Sequence, residues 1–472
     1  MGTLNTAWNI ATGALAGDQS ALNVVANNTA NANTPGYTRQ VANWQENDPV
    51  KISGLSYGMG VSFTGSSSQR DRVLEQRLQQ QAEVTAAGSA RLIALNDVEG
   101  IFKQSGSSAS SSGIAAAISG FYNSMAQLES SPSDISLRQQ VLSAANTLSQ
   151  SVQNAAASLV QKKASLDDQS GTILDQVSSL SQSIASLNRQ IESGSPSSDA
   201  GALEDQRQQD LLQLSQLIGI RTIPTEGNGL TVTTSSGAVL VAKDVGMPLS
   251  TSSSGGVTHF FSGSTDITAQ LVAGGGQVGG ILMVRDMDIP ALQSSLDLLA
   301  YSLSTQINAI NGSGYDGTGA PGGNLFTSPV GLAGAAANMS VVLTNPGGIA
   351  AAGPSATPGV GRGLTDNSNA ILMADQSNSL IAPGQTATSF FSGFVTIFGS
   401  HVAAANTQHT AQQASLTQLQ NQRNALSTVD LNEEAAAMSN LERSFQAASK
   451  VFSILNSVMA AALNLGQQTT VG

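Results

Sequence analysis

The chain contains no cysteine. That excludes disulfides, thiolate nucleophiles and every metal site built on sulfur ligands. Histidine is almost as scarce, with only His259, His401 and His409. No HExxH, GxSxG or GxxxxGK pattern occurs. His401 and His409 stand eight residues apart and can share a helix face, but no third ligand accompanies them. His401 is expected inside a bundle with its ring nitrogens satisfied. Gly317, Gly319 and Gly322 spell GxGxxG. They follow a helical pattern instead of a strand, and Pro321 lies among them, so the dinucleotide reading fails its structural context. Asp167-Asp168 and Glu433-Glu434 are paired carboxylates. Solvated helix faces, and acids favoured in a first helical turn, account for them. Nothing assembles an acid, a base and a pocket. No enzyme activity, catalytic residue, cofactor or metal is expected.

Charge and aromatic bulk are also in short supply. Only 11% of residues are charged and 4% aromatic, and the formal net charge is −12. An acidic balance disfavours nucleic acid and anionic membranes, which require clustered Lys and Arg. Cores drawn from Ala, Leu, Ile and Val are thin, which fits elongated bundles better than one thick globule. The 472 residues suffice for two to four domains. No uninterrupted apolar run of 18 residues exists, so no membrane-spanning segment is expected. A secretory leader is not expected either. The first basic residue is Arg39, and Asn and Thr interrupt the early apolar positions.

What the chain does have is periodicity at both ends. Met438, Leu441, Phe445, Ala448, Phe452, Leu455, Met459 and Ala462 step by three and four, the spacing of a coiled-coil helix. Val451 and Val458 widen the stripe. Leu4, Trp8, Ala11, Leu15, Asp18, Leu22 and Val25 repeat the pattern in a helix ending near Thr29. Each is too apolar to stay solvated alone, and their matched period predicts that the two termini pair.

Between them the periods change in order. Short strands are expected at Val41–Trp44 and Met59–Phe63, and helix from Asp71. A Ser/Gly spacer follows at Ser105–Gly113. Ser131-Pro132-Ser133-Asp134 breaks the chain and caps a long helix from Leu137 to about Ile191. Its second seam position drifts, which predicts a break between Lys162 and Gly171. From Ile220 the period becomes two. Leu230, Val232, Val239 and Val241 flank a Ser235–Gly237 turn, and Ile267–Leu271 is a further strand candidate. Gly274–Gly280 closes this insert, and Asp288 with Pro290 opens another helix. Gly312–Asn369 reads mainly as loop, with Val341–Leu343 its best strand. Phe391 to Leu426 shares one helical face, and Gln467–Gly472 is a polar tail.

The expected fold is mainly α with a β-rich insert, elongated, in nested discontinuous domains. Residues 1–65 with 428–472 form a terminal coiled coil. Residues 66–219 with 281–327 and 385–427 form a long-helix bundle. Residues 220–280 form a small β domain, and 328–384 an irregular segment rich in Gly, Ala and Pro.

The stretch NNTANANTPGYTRQ, Asn27 to Gln40, follows ALAGDQSALNVVA, Ala14 to Ala26. Together they resemble the N-terminal signature of the bacterial flagellar axial proteins of rod, hook and hook-associated type. The signature positions are Asn27, Asn28, Asn31, Asn33, Pro35, Gly36, Tyr37, Arg39 and Gln40. Val429 to Met459 resembles the matching C-terminal signature. Gly36-Tyr37-Thr38-Arg39-Gln40 and the middle stretch Gly275–Phe326 are similar to the hook-associated members; hook and rod members more often continue with Phe and Lys after the glycine. At Leu431-Asn432-Glu433-Glu434 an Asn replaces the more usual Asp and keeps a capping side chain.

The resemblance implies a structural subunit where hook meets filament. It would lie outside the cell, exported unfolded by the flagellar type III apparatus and assembled through Leu4, Trp8, Leu15, Leu22, Val25, Met438, Leu441, Phe445, Phe452, Leu455 and Met459. The implied partners are the hook protein, a second junction protein, copies of the chain in a ring, and an export chaperone on the C-terminal helix. Nucleic acid and membrane insertion are not among them. A hook or rod protein is the alternative, and an adhesive role of the β insert a lesser one.

Overall fold

The computed structural model describes residues 2–52, 54–103, 113–193, 201–254 and 257–468. Most of the spacer from Ser105 and the last four residues of the tail lie outside them. The first helix, α1 (Gly2–Asn31), leads through the Asn-rich elbow into a ribbon of β1 (Gln40–Glu46), β2 (Val50–Ile52), β3 (Leu55–Tyr57) and β4 (Val61–Ser68). β1 pairs antiparallel with β4 through a bulge between Asn43 and Trp44, and β2 with β3 forms the tip. The ribbon lies along α1.

Helices then take over. Asp71 accepts the Val73 and Leu74 N–H groups at 2.9 and 3.0 Å, satisfying two of the orphan donors that open α2 (Arg72–Lys103). After α3 (Ile114–Ser130), Asp134 accepts one such donor, the Ser136 N–H, at 2.7 Å at the start of α4 (Ile135–Ser193). At 59 residues α4 is a rod of roughly 90 Å. It does not break between Lys162 and Gly171. Where large seam residues give out, Ser170 and Ser181 fill the positions and are fully buried. Their hydroxyls donate to carbonyls of the preceding turn, Asp167 O and Val177 O, both at 2.7 Å, so the helix stays continuous with its polar groups satisfied. α5 (Gly201–Leu217) packs back against α4 and α2.

The β insert is two meanders. β5 (Ile220–Pro224), β6 (Leu230–Thr234), β7 (Val239–Ala242) and β8 (Val245–Gly246) form one sheet in that order; β9 (Ser250–Ser254), β10 (Val257–Ser262) and β11 (Thr265–Asp266) form the other. The stretch expected as a strand at Ile267–Leu271 is instead the start of α6 (Thr268–Gly274). Asp266 accepts the Thr268 N–H at 2.8 Å and Leu271 is buried, so capping and one-sided burial favour a turn of helix.

The next helix also begins earlier than expected. α7 (Gly276–Met283) passes through a π turn at Val284–Asp288 directly into α8 (Ile289–Ser313). The wider turn accommodates Pro290, which lacks an N–H and would break a regular helix interior. Gly280 lets α7 approach α2 closely: a Cβ there would stand 2.2 Å from Ala87 O.

Beyond α8 the chain is irregular around α9 (Ala335–Asn338) and α10 (Ser368–Asp375). Val341 makes only an isolated bridge to Phe326, because Asn308 takes the Leu325 and Phe326 N–H groups and leaves no ladder to extend. β12 (Leu380–Ala382) and β13 (Gln385–Thr386) lead into α11 (Ala387–Ser427), and α12 (Leu431–Gln468) ends the fold. A continuous core joins bundle and insert, and the α1–α12 pair lies outside it. Within Ala387–Asn464 one 18-residue stretch, 22% of it buried, is long and apolar enough to cross a membrane by length and composition. The expectation from uninterrupted runs missed this, since small and polar residues break the run without lowering the average far.

Candidate assembly interface

α1 and α12 run antiparallel. Trp8 stacks on Phe452 with ring centroids 4.3 Å apart, while Asn28 meets Glu434 at the other end. Of the α1 seam, Val25 is buried and Leu4, Trp8, Leu15 and Leu22 are half-buried. Met438, Leu441, Phe452, Leu455 and Met459 are half-buried on α12, whereas Phe445 sits at the edge, 36% exposed. Asp18 is buried in the same series, and its Oδ2 has no partner among the described residues. α12 also carries a second apolar row. Val451, Ile454 and Val458 are 50%, 62% and 45% exposed. One seam of α12 is therefore filled from within the chain and the other is open.

The elbow between α1 and β1 is held by one fully used side chain. Asn28 is 1% exposed. Its Nδ2 donates to Gln40 O at 2.8 Å and to Glu434 Oε2 at 3.1 Å. Its Oδ1 accepts the Tyr37 hydroxyl at 2.9 Å and the Gln40 N–H at 3.0 Å. Arg39 completes the latch. Its Nε donates to Glu434 Oε1 and its Nη1 to Glu433 Oε2, both at 2.7 Å, and its N–H donates to Ser427 O at 2.9 Å. Glu434 is 1% exposed. Burial pushes the Tyr37 hydroxyl up to about 12, helped by the negative charges of Asp205 and Glu434.

Other signature residues shape the turn. Asn31 donates to Asn27 Oδ1 at 2.8 Å and accepts from Thr34 at 3.1 Å. Asn33 and Pro35 are exposed, and the Pro35 carbonyl accepts from Gln209. Gly36 has φ 79°, a left-handed conformation that favours glycine.

The elbow is also bolted to the bundle. Asp205 accepts the Thr38 N–H at 2.9 Å and pairs with Arg70, which also reaches Glu204 at 3.0 Å. Arg207, its pKa pulled down to about 10 by burial and partly restored by Glu204, donates to Asn188 at 2.9 Å and to Asn228 O at 2.7 Å. Arg423 bridges Glu75 at 3.2 Å and Gly36 O at 3.1 Å. The first turns of α5 thus tie together elbow, ribbon, long helix and β insert.

Sequence reasoning missed the acids. Glu433 and Glu434 are not merely solvated first-turn residues, because Arg39 draws them across the joint. Asp167 likewise accepts from the fully buried Arg285 and from Thr258, at 3.1 Å (N–H) and 2.6 Å (hydroxyl). The cap of α12 is Asp430, accepting the Asn432 N–H at 2.8 Å, not the Asn432 side chain. His401 is exposed on α11, on the outer side of a helix that packs along α2. One signal was available: Arg39 is the first cation of the chain and stands just past α1, and Glu433-Glu434 is the only Glu-Glu pair, at the start of the helix that α1 was expected to meet.

The geometry describes a molecule whose two ends are locked together and whose last helix has an open apolar face. No group of three or more metal-ligating side chains exists among the described residues.

Two family models match. One, the flagellar hook-associated protein FlgK helical domain, covers residues 95–326; the other, the flagella basal body rod protein, covers residues 9–38. Flagellar hook-associated protein 1 of Salmonella typhimurium is 23% identical, with 95% of this chain and 97% of that protein aligned. The protein of the same name from Bacillus subtilis is 24% identical, with 96% of each covered. The fold is similar to the flagellar hook junction protein FlgK from Burkholderia pseudomallei, with a TM-score of 0.66 and 18% identity over 74% of this chain and all of that one.

Proposed function

The chain belongs to the family of flagellar hook-associated protein 1, and from that premise we propose that it is a structural subunit joining hook to filament. The observation that carries the mechanism is the latch of Asn28 and Arg39 on Glu434, which unites the two terminal signatures in one rigid joint. A joint of this kind presents the α1–α12 pair as a preformed rod. Its open seam on α12 is the assembly surface, and the seam residues of both helices hold the rod together.

The finer reading follows from the same surfaces. The terminal pair forms the inner layer, the bundle the next, and the β insert faces outward. The hook protein meets the subunit on one side and a second junction protein on the other, with copies of the chain completing a ring. Before assembly an export chaperone covers the apolar C-terminal helix while the chain passes unfolded through the flagellar type III apparatus, its final place being outside the cell. The division into residues 1–65 with 428–472, 66–219 with 281–327 and 385–427, 220–280 and 328–384 belongs to this reading. Acidic composition supports assembly without nucleic acid.

A deletion strain tests it. Intact hooks, no attached filaments and filament protein shed into the medium are expected by electron microscopy and fractionation. Normal filaments on the deletion strain would overturn it.

A further inference from the structure

We propose that the cavity between α2, α5 and the turn joining β5 to β6 binds a small organic acid through its phosphate or carboxylate head. The cavity holds about 490 Å3. Three guanidiniums line it, Arg70, Arg72 and Arg207, against two carboxylates, Glu75 and Glu204. Both acids are engaged. Glu204 pairs with Arg70 at 3.0 Å, and Glu75 with Arg423, which stands outside the lining, at 3.2 Å. Asp205, the other acid on Arg70, also accepts the Thr38 N–H. Glu192, beside Gly229, is matched by Lys243 at 3.5 Å. Arg70, Arg72, Arg207 and Arg423 thus face Glu75, Glu204 and Asp205, four positive charges against three negative. The excess sits on the cavity wall, because no carboxylate among the described residues lies within ion-pair distance of Arg207 or Arg72.

Burial makes that excess costly. Arg207 is 6% exposed and the Arg70 side chain 10%. Nη1 of Arg207 donates to two neutral oxygens, Asn188 Oδ1 and Asn228 O. After burial, which dominates its lowered pKa, Glu204 works against the lowering while Arg70 and Arg72 add to it, so the three cations repel one another across the cavity. Two more buried atoms on lining residues, Arg70 Nε and Thr225 Oγ1, have no partner among the described residues. Guanidinium N–H groups and a hydroxyl are the donors that hold an oxyanion. Leu211, Pro224 and Leu230 supply an apolar stretch of wall for a carbon body. Arg72 is exposed, so the site opens to solvent on its side. Occupancy tightens the hub, because Arg70 and Arg207 also hold the elbow, the long helix and the insert together.

Titration calorimetry of the full-length chain at neutral pH tests the site, with inorganic phosphate and acetate each compared with chloride of equal ionic strength. At least one of the two oxyanions should bind in a single site, and the tighter one identifies the head group. Arg72→Gln should weaken that binding about tenfold. Gln76 is exposed on the same lining and lets the charge be varied without touching the hub. Gln76→Glu should weaken binding and Gln76→Lys strengthen it, each about threefold. Circular dichroism melts establish that the three variants are folded. Neither oxyanion binding beyond chloride overturns the proposal. Binding that is the same in the unaltered chain and in all three variants overturns it as well, since the anion then sits elsewhere. Either result leaves the junction reading intact, which the deletion strain tests separately.

Discussion

At the residue scale the molecule depends on a few polar side chains whose every bond is taken. Glu434 is buried with Arg39 and Asn28 as partners. Glu434→Ala leaves Arg39 with a single acid and Asn28 with an unmatched donor, and should cost about 2–3 kcal/mol. Urea melts followed by the fluorescence of Trp44, on β1 beside the latch, and of Trp8, against Phe452 of α12, measure it. Tyr37 adds a pH signature. Its hydroxyl is raised from 10 to about 12, so the neutral form is favoured by folding. The stability it contributes is complete below pH 10 and is lost as pH rises toward about 12. Melting temperature across that range should fall less steeply in Tyr37→Phe than in the unaltered chain. An equal slope would remove Tyr37 from the latch.

At the element scale, apolar period predicted the helices well, and tertiary demands decided where they begin and end. The seams of α1 and α12 were legible because nothing competes with a three-four repeat. The continuity of α4 was not, since a buried serine reads as polar in sequence and acts as a small seam residue once its hydroxyl turns back to the helix. The elbow's turn was visible in Asn, Pro and Gly, but only their rarity and placement pointed to its acids: Arg39 and Glu434 are 395 residues apart and no local pattern links them. The same holds for Arg285, fully buried at the π turn, where it reaches Asp167, Asp286 at 2.8 Å and Thr258 O at 3.0 Å. Arg285→Ala should cost about 3–5 kcal/mol by emptying a fully buried site and leaving the half-buried carboxylates of Asp167 and Asp286 without their cation. Lys162→Ala, which removes a more exposed pair with Asp97, should cost at most about 1 kcal/mol. Calorimetry of the two variants side by side checks the contrast. On α12, Phe452→Asp removes the ring that stacks on Trp8 and should separate the terminal helices while the bundle core melts as before. A mutant whose filaments still attach would show that this ring contact is dispensable.

At the scale of the whole molecule, stability is graded. The bundle and β insert share one buried core, whereas the terminal pair leans on a single partner helix and a latch. Regions with few buried apolar contacts open first. Brief protease treatment of the monomer should therefore trim α1 and α12 before any cut inside α4 or the sheets, and trimming should slow in assembled rings. Simultaneous cutting of ends and core, followed by mass spectrometry, would contradict that order. The α5 hub matters here too, because Asp205 on α5, together with Arg423 on α11, ties the elbow of the terminal rod to the bundle.

The latch also has a consequence in time. Arg39 emerges from the ribosome 395 residues before Glu434, so the elbow has no counterpart until that whole stretch has been made. A truncated subunit keeps its bundle and its β insert yet cannot lock its own beginning. It would arrive with a loose first helix and nothing to present to a neighbour.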